Sequence, residues 1–235
     1  MRHTGLLWMG MAVITIVISG CSTGDTNATS PEEPGARPGA VGAGGAGANV
    51  ASDEDFVPDV ARKTMATIQL SRMALETTTN PDIKAFAQRL IDDHSAAGTT
   101  LQSALSGTPV EWPVQLDEKA KSTADGLVQE HGTDFDREYL KAMVEGHQNL
   151  AAKLESRIDV QSLSEWKTAV AARTQSQAMP EPATGRRDVT VRPAVSGNAS
   201  TGRINQWAAD TYPVVQKHLD TARTLENVEE KRSTD

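Results

Sequence analysis

Apolar residues recur at helical spacing over four long stretches of this chain, and no stretch of comparable length alternates at the two-residue period of a strand. Val57, Ala61, Met65, Ile68 and Leu75 mark the first stretch, and Ile83, Phe86, Ala87, Leu90, Ile91, Ala97, Leu101 and Leu105 the second. A third opens near Asp117 with Ala120, Ala124, Leu127 and Val128 and meets Gly132, a C-cap or kink. It continues through Phe135, Leu140, Met143, Leu150, Ala151, Leu154 and Ile158. The fourth carries Ile204, Trp207, Ala208, Val215, Leu219, Ala222 and Leu225. A helix with one apolar stripe must bury it, and without a sheet to cover, the economical arrangement is helix on helix. The pattern predicts an all-α fold, a four-helix bundle over residues 53–228, with helices of about 25 residues spanning roughly 37 Å.

Local signals set the helix ends. Asp55 as N-cap would place Pro58 at the third helical position, where a missing N–H costs nothing, whereas a cap at Ser52 would bury the proline inside the helix. The first helix should end near Thr78. Asn80-Pro81 joins a capping residue to an N1 proline, Gly107, Pro109 and Pro113 close the second helix, and Thr133 with Asp136 reads as a capping box. The last helix is predicted from about Arg203 to Val228, bent at Pro213. Between the third and fourth patterns lies an insertion, residues 159–202. In it Leu163, Trp166 and Val170 suggest a short helix, while the stretch from Gln175 to Thr201 has no period and is expected to be mobile. Asp188-Val189-Thr190-Val191 is expected to be coil rather than strand. Residues 229–235 read as a charged tail.

The start of the chain reads as an address. Arg2 and His3 precede a 14-residue run from Gly5 to Ile18 whose only polar member is Thr15, too short for the roughly 20 residues of a membrane-spanning helix. Ser19 and Gly20 then precede Cys21, the chain's only cysteine. This ending resembles the bacterial lipobox, which implies a signal peptide over residues 1–20, cleavage before Cys21 and acylation of its thiol. An ordinary secretory signal cut elsewhere is the alternative. Residues 21–52, the cysteine and a following stretch dominated by Gly, Ala, Pro, Ser and Thr with little to bury, are expected to form a disordered tether of roughly 30 Å mean extent. The expected location is the cell envelope, held through lipid. Ser22 fits sorting to the periplasmic face of the outer membrane in a Gram-negative cell; otherwise the outer face of the cytoplasmic membrane is implied.

Charge narrows the partners. Removal of Arg2 leaves 22 basic against 31 acidic residues, 22 − 31 = −9. Nucleic acid and anionic headgroups both require clustered Lys and Arg, so no nucleic-acid partner is expected, the lipid anchor must hold the membrane, and any protein partner is unspecified. No Gly-x-Ser-x-Gly elbow and no phosphate loop occurs. Arg186-Arg187 and Asp92-Asp93 read as solvated pairs. Trp112 and Trp166 read either as a partner-binding spot or as pins between a loop and the bundle. His131, beside Gly132, reads as a helix-end residue whose cation would suit the dipole of the preceding helix.

Three histidines fall on apolar stripes. His94 is in phase with Leu90 and Leu101, His147 lies between Met143 and Leu150, and His218 lies between Val215 and Ala222. Each is near the middle of its predicted helix, so the three could share one layer of the bundle. Three neutral imidazoles suit a single transition metal (Zn, Cu or Fe), with Asp93 orienting a ring or adding a ligand. A carboxylate-bridged di-iron site is not supported: no Glu-x-x-His pair occurs, and the first helix offers Thr67, Ile68 and Gln69 at that level. The same placement also serves a structural role, with imidazoles satisfying one another, Tyr139 or the backbone and fixing the register of the helices.

The order Phe56-Val57, Ala85-Phe86-Ala87, Asp93-His94, Phe135-Asp136-x-x-Tyr139, Met143-Val144-x-x-His147 and His218-Leu219-x-x-Ala222 resembles the bacterial family known as domain of unknown function 4142. The resemblance covers about residues 54–158 and 203–228. It implies a ferritin-like four-helix bundle, often labelled an outer membrane protein, and makes His94, His147 and His218, with Asp93 and Tyr139 as residues that could support them, the positions of interest. It implies no activity and no catalytic residues. Two departures stand out: Thr67 occupies a position where the resemblance implies glutamate, and the insertion at 159–202 replaces a short connection. Two functions follow as expectations. The first is a lipid-anchored helical-bundle protein with a binding or structural role at the envelope, more a non-enzyme than an enzyme. The alternative is a mononuclear metal-binding protein, for redox chemistry or metal storage, built on the three histidines.

Overall fold

The computed structural model describes residues 51–176 and 189–232. Cys21, the signal-peptide run and the tether as far as Val50 lie outside the described residues, as do Arg186-Arg187, Asp188 and the last three residues. The described residues form six helices: α1 (Asp53–Thr77), α2 (Pro81–Ala104), α3 (Glu118–Leu127), α4 (Gly132–Glu155), α5 (Val160–Ser176) and α6 (Ala199–Arg232). Among them there is no strand, only an isolated bridge between Ile158 and Pro193. The chain is all-α, and its four long helices make the bundle. Both α1 and α6 pack on α2 and on α4, so the helices close into a ring in which α1 faces α6, and α2 faces α4, across the diagonals. Short α3 rests on α1 and α4.

Two apolar clusters fill the bundle. One gathers Phe56, Val57, Val60, Leu101, Leu150, Leu154, Ile204, Trp207, Tyr212 and Val215, and the other Leu70, Ala74, Ile83, Phe86, Leu90, Phe135, Tyr139, Leu140, Met143 and Ala222. Between them on each long helix the buried residues turn polar: Thr64 and Thr67 on α1, His94 on α2, His147 on α4 and His218 on α6. The core is therefore two greasy halves separated by a polar tier.

The helix ends depart from the sequence reading in physically explicable ways. Ser52, not Asp55, caps α1: its Oγ accepts from the Asp55 amide at 3.1 Å. Pro58 consequently lies inside the helix, where it denies a hydrogen bond only to the carbonyl of exposed Glu54, which water can serve. The start is fixed instead by Arg157. That buried side chain donates to Ala51 O at 2.6 Å, Ser52 O at 3.0 Å and the Asp53 carboxylate at 2.5 Å, and its guanidinium stands 4.3 Å from the centre of the Phe56 ring. The buried seam of α1 is also shifted: Thr64, Thr67, Ser71 and Ala74 face inward while Met65, Ile68 and Leu75 are only partly buried. Small polar residues fit the close approach of α1 to α2 and α4, and the long apolar ones cover its flank.

Asn80 caps α2 as expected, its Oδ1 accepting from Asp82 N at 2.9 Å with Pro81 at N1, and Asp117 caps α3 through Ala120 N at 2.8 Å. The predicted capping box at Thr133 does not form. Gly132, at φ +56°, is the first residue of α4, His131 occupies the cap position without a side-chain bond, and Asp136 is buried. His131 thus stands at the positive end of α4, where a cation is disfavoured, rather than at the end of α3. Val128 is 59% exposed because α3 ends at Leu127 and turns it outward.

The helix expected around Leu163, Trp166 and Val170 is α5, 17 residues long, and part of the stretch expected to be mobile is built into the fold. Residues 189–198 are irregular, and they are strapped to the end of α4: Asp159 N donates to Arg192 O, and Ala194 N to Arg157 O, each at 2.9 Å, while Asn205 Nδ2 donates to Ala194 O at 2.9 Å. Val191 packs on the core. Trp112 also packs there, and Trp166 meets Tyr212 edge-on at 5.3 Å, so both tryptophans pin their segments. The tail too is helical as far as Arg232, with Glu229 buried and accepting from Asn80 Nδ2 at 2.8 Å. Pro213 lies inside α6 without ending it.

Candidate functional site

The polar tier brings the three sequence-predicted histidines together. Their helices start from fixed points, α2 at the Asn80 cap, α4 at left-handed Gly132 and α6 beside the strap, and each imidazole emerges mid-helix on the buried face. His94 is 3% exposed, and His147 and His218 are 1% exposed. Ring centroids are 5.2 Å apart for His94 and His147, and 5.5 Å apart for each of these with His218. One nitrogen from each ring lies within 4.8 Å of the others, a triangle whose corners all lie within about 2.8 Å (4.8/√3) of a common point. This is the only such trio among the described residues.

Hydrogen bonds assign the protons. His147 Nδ1 lies 2.8 Å from Met143 O; a carbonyl only accepts, so Nδ1 carries the hydrogen and Nε2 of the neutral ring keeps its lone pair. His94 Nε2, 3.2 Å from that Nε2, is therefore the donor of the pair. His218 Nε2 lies 2.8 Å from the Asp93 carboxylate and donates to it, which leaves its Nδ1 buried without any hydrogen-bond partner.

Electrostatics keep the rings neutral. Burial drives the His94 pKa well below its ordinary value, with the charges of His147 and His218 adding to the effect. Burial likewise holds His147 at about 4 against a partial lift from the Met143 carbonyl. His218 is also lowered by burial, and the bond to Asp93 offsets only part of this, while Arg89 and Lys217 push in the same direction as burial. At neutral pH the tier presents three uncharged imidazoles.

Of the two residues predicted to support the trio, Asp93 does so, from the half-open edge of the bundle, where its side chain is 42% exposed. Tyr139 does not. It lies two turns along α4, its hydroxyl 3.0 Å from Ser71 Oγ in the second apolar cluster, and burial raises its pKa. Thr67 is buried in the tier but spends its hydroxyl on Lys63 O at 3.1 Å. Sequence reasoning missed Met143 as a backbone partner, which its position four residues before His147 could have signalled. It also missed a cleft of about 270 Å³ between α2 and α6, lined by Asp93, His94, Ala97, Trp207, Thr211 and His218 among others. Only the folded pairing of α2 with α6 creates that cleft.

No curated protein and no solved structure matches the chain significantly. The family model described as "Domain of unknown function (DUF4142)" matches residues 39–179, and the chain belongs to that family. The matched span contains His94 and His147 and stops before α6, so His218 lies beyond it.

Proposed function

As a member of a family whose description assigns no activity, the chain has to be read from its own site, and we propose that it is an envelope lipoprotein that holds one transition-metal ion on His94, His147 and His218. One observation carries this reading: His218 Nδ1 is buried and unpartnered while the outer nitrogens of His147 and His218 are each engaged, by a carbonyl and by a carboxylate. Metal-bound imidazoles are characteristically oriented in this way, with the distal N–H fixed by an acceptor and the lone pair turned to the ion. By elimination the donors are Nε2 of His147 and Nδ1 of His218. His94 joins them once the proton it shares with His147 is displaced. The 3.2 Å between His94 and His147 nitrogens is close to the edge of about 3.3 Å that a tetrahedral site with bonds near 2.0–2.1 Å requires.

Imidazole suits Zn, Cu and Fe, and the absence of a carboxylate among the trio favours a single ion over a bridged pair. The anchor is supported by the short apolar run and by Cys21, and replacing Cys21 with Ser should release the protein from washed membranes.

The structural alternative has its own support in the His94–His147 hydrogen bond, which ties α2 to α4 across the diagonal and fixes their register. Metal analysis and titration of the purified protein separate the two readings. The metal-centre reading expects one equivalent of metal in the wild type and loss of stoichiometric binding in His147→Gln; no uptake by either protein leaves only the structural role.

A further inference from the structure

We infer that the fourth coordination position of this centre opens into the cleft between α2 and α6 and receives a small neutral donor molecule from solvent. The inference rests on the metal-centre reading and extends it. His94 and His218 line the cleft while His147 does not, so the opening reaches the tier through the α2–α6 side of the ring, across from the α1–α4 side. The remaining helix of the ring brings no imidazole, thiolate or carboxylate to the tier: at this level α1 supplies the buried Thr64 and Thr67, and the Thr67 hydroxyl donates to Lys63 O. Asp93 is committed as well, holding the outer nitrogen of His218. Three protein ligands with one position left to solvent is the arrangement of reactive rather than purely structural metal sites.

The chemistry of the cleft selects what enters. Its volume of about 270 Å³ leaves room for a small molecule and not for a macromolecular segment. Trp207, Val215 and Ala97 make its walls apolar, and its charged members are the carboxylates of Asp93 and Asp210, with no Lys or Arg among the lining residues. Trp207 Nε1 donates to Ala97 O at 2.9 Å, a bond that fixes the width of the opening. An anion entering the cleft meets these two carboxylates and no lining cation, Arg89 and Lys217 acting on His218 from outside the lining. A compact neutral molecule with a nitrogen or oxygen lone pair is the fitting occupant.

Cobalt(II) provides the test, because its visible spectrum reports coordination number and ligand exchange. The purified protein is loaded with Co²⁺ and titrated with imidazole and, separately, with azide. A saturable spectral change with imidazole at lower concentration than with azide is expected. In Thr211→Trp, and independently in Ala96→Trp on the opposite, exposed rim, the imidazole response should be lost while Co²⁺ stoichiometry persists. Co²⁺ binding without any imidazole response would overturn the open position alone. An unchanged response in both blocked variants would overturn the route through this cleft, and a preference for azide would overturn the neutral occupant. Failure of the wild type to bind Co²⁺ at all would overturn the metal-centre reading and this inference with it.

Discussion

His218 is the most constrained residue of the tier, since one ring nitrogen meets Asp93 at the half-exposed edge while the other is buried with no partner. If Asp93 acts by fixing that ring, Asp93→Asn should weaken metal binding by about 10–100-fold with little change in the stability of the metal-free protein. Equilibrium titration and denaturant unfolding measure the two effects separately. The depressed histidine pKa values carry a second consequence. Because His147 titrates near 4 when folded and near 6.5 when unfolded, the unfolded chain binds protons first as pH falls, so stability favours the neutral side. The metal-free protein should hold its full stability above about pH 6.5 and lose it progressively toward pH 4, visible as a falling denaturation midpoint. A flat midpoint across that window would contradict the neutral tier. These residues were legible in the sequence as histidines in phase with apolar stripes. Tyr139 was equally in phase, yet it serves Ser71, because phase fixes a face of a helix and not the level at which neighbouring helices present partners.

At the scale of elements, Arg157 binds the beginning of the bundle to its middle. It is fully buried, joins Asp53 and two backbone carbonyls ahead of α1, and shares the Asn205 side chain with α6 at 3.4 Å. Removing one partner of a buried pair leaves the other uncompensated, and Arg157→Ala should destabilise the fold by about 3 kcal/mol, at the low end for buried pairs because Asp53 keeps some solvent contact and the Thr201 hydroxyl. Asn80→Ala, which removes the α2 cap and the contact to Glu229, should cost about 1–2 kcal/mol; chemical denaturation measures both. The contrast between these two explains what the sequence disclosed. Asn80-Pro81 is a local signal and was legible. Arg157 was not, because a charged residue at the end of an amphipathic helix reads as solvated, and its partners at Ala51, Ser52 and Asp53 lie more than a hundred positions earlier in the chain, with Asn205 far along it in the other direction. The same long-range contacts placed the start of α1 at Ser52 against the local argument from Pro58, and they strapped residues 189–198 where composition suggested freedom.

Among the described residues the four long helices form a ring whose two apolar halves enclose a neutral, lone-pair-rich tier, opened on one side by the α2–α6 cleft. Periodicity alone made the bundle legible, since amphipathic stripes of this length have few other ways to be buried. The cleft was invisible to it because a void belongs to pairs of helices. A ligand that binds only the folded state stabilises it by mass action, so saturating metal should raise the thermal midpoint of the wild type and leave that of His147→Gln unmoved. The most direct test of the central claim is X-ray absorption on the purified, metal-loaded protein. The account predicts one ion with three imidazole nitrogens at about 2.0–2.1 Å and one further light-atom ligand. A protein that takes up no metal, or an ion whose shell lacks the imidazole signature and persists unchanged in His147→Gln, would contradict it.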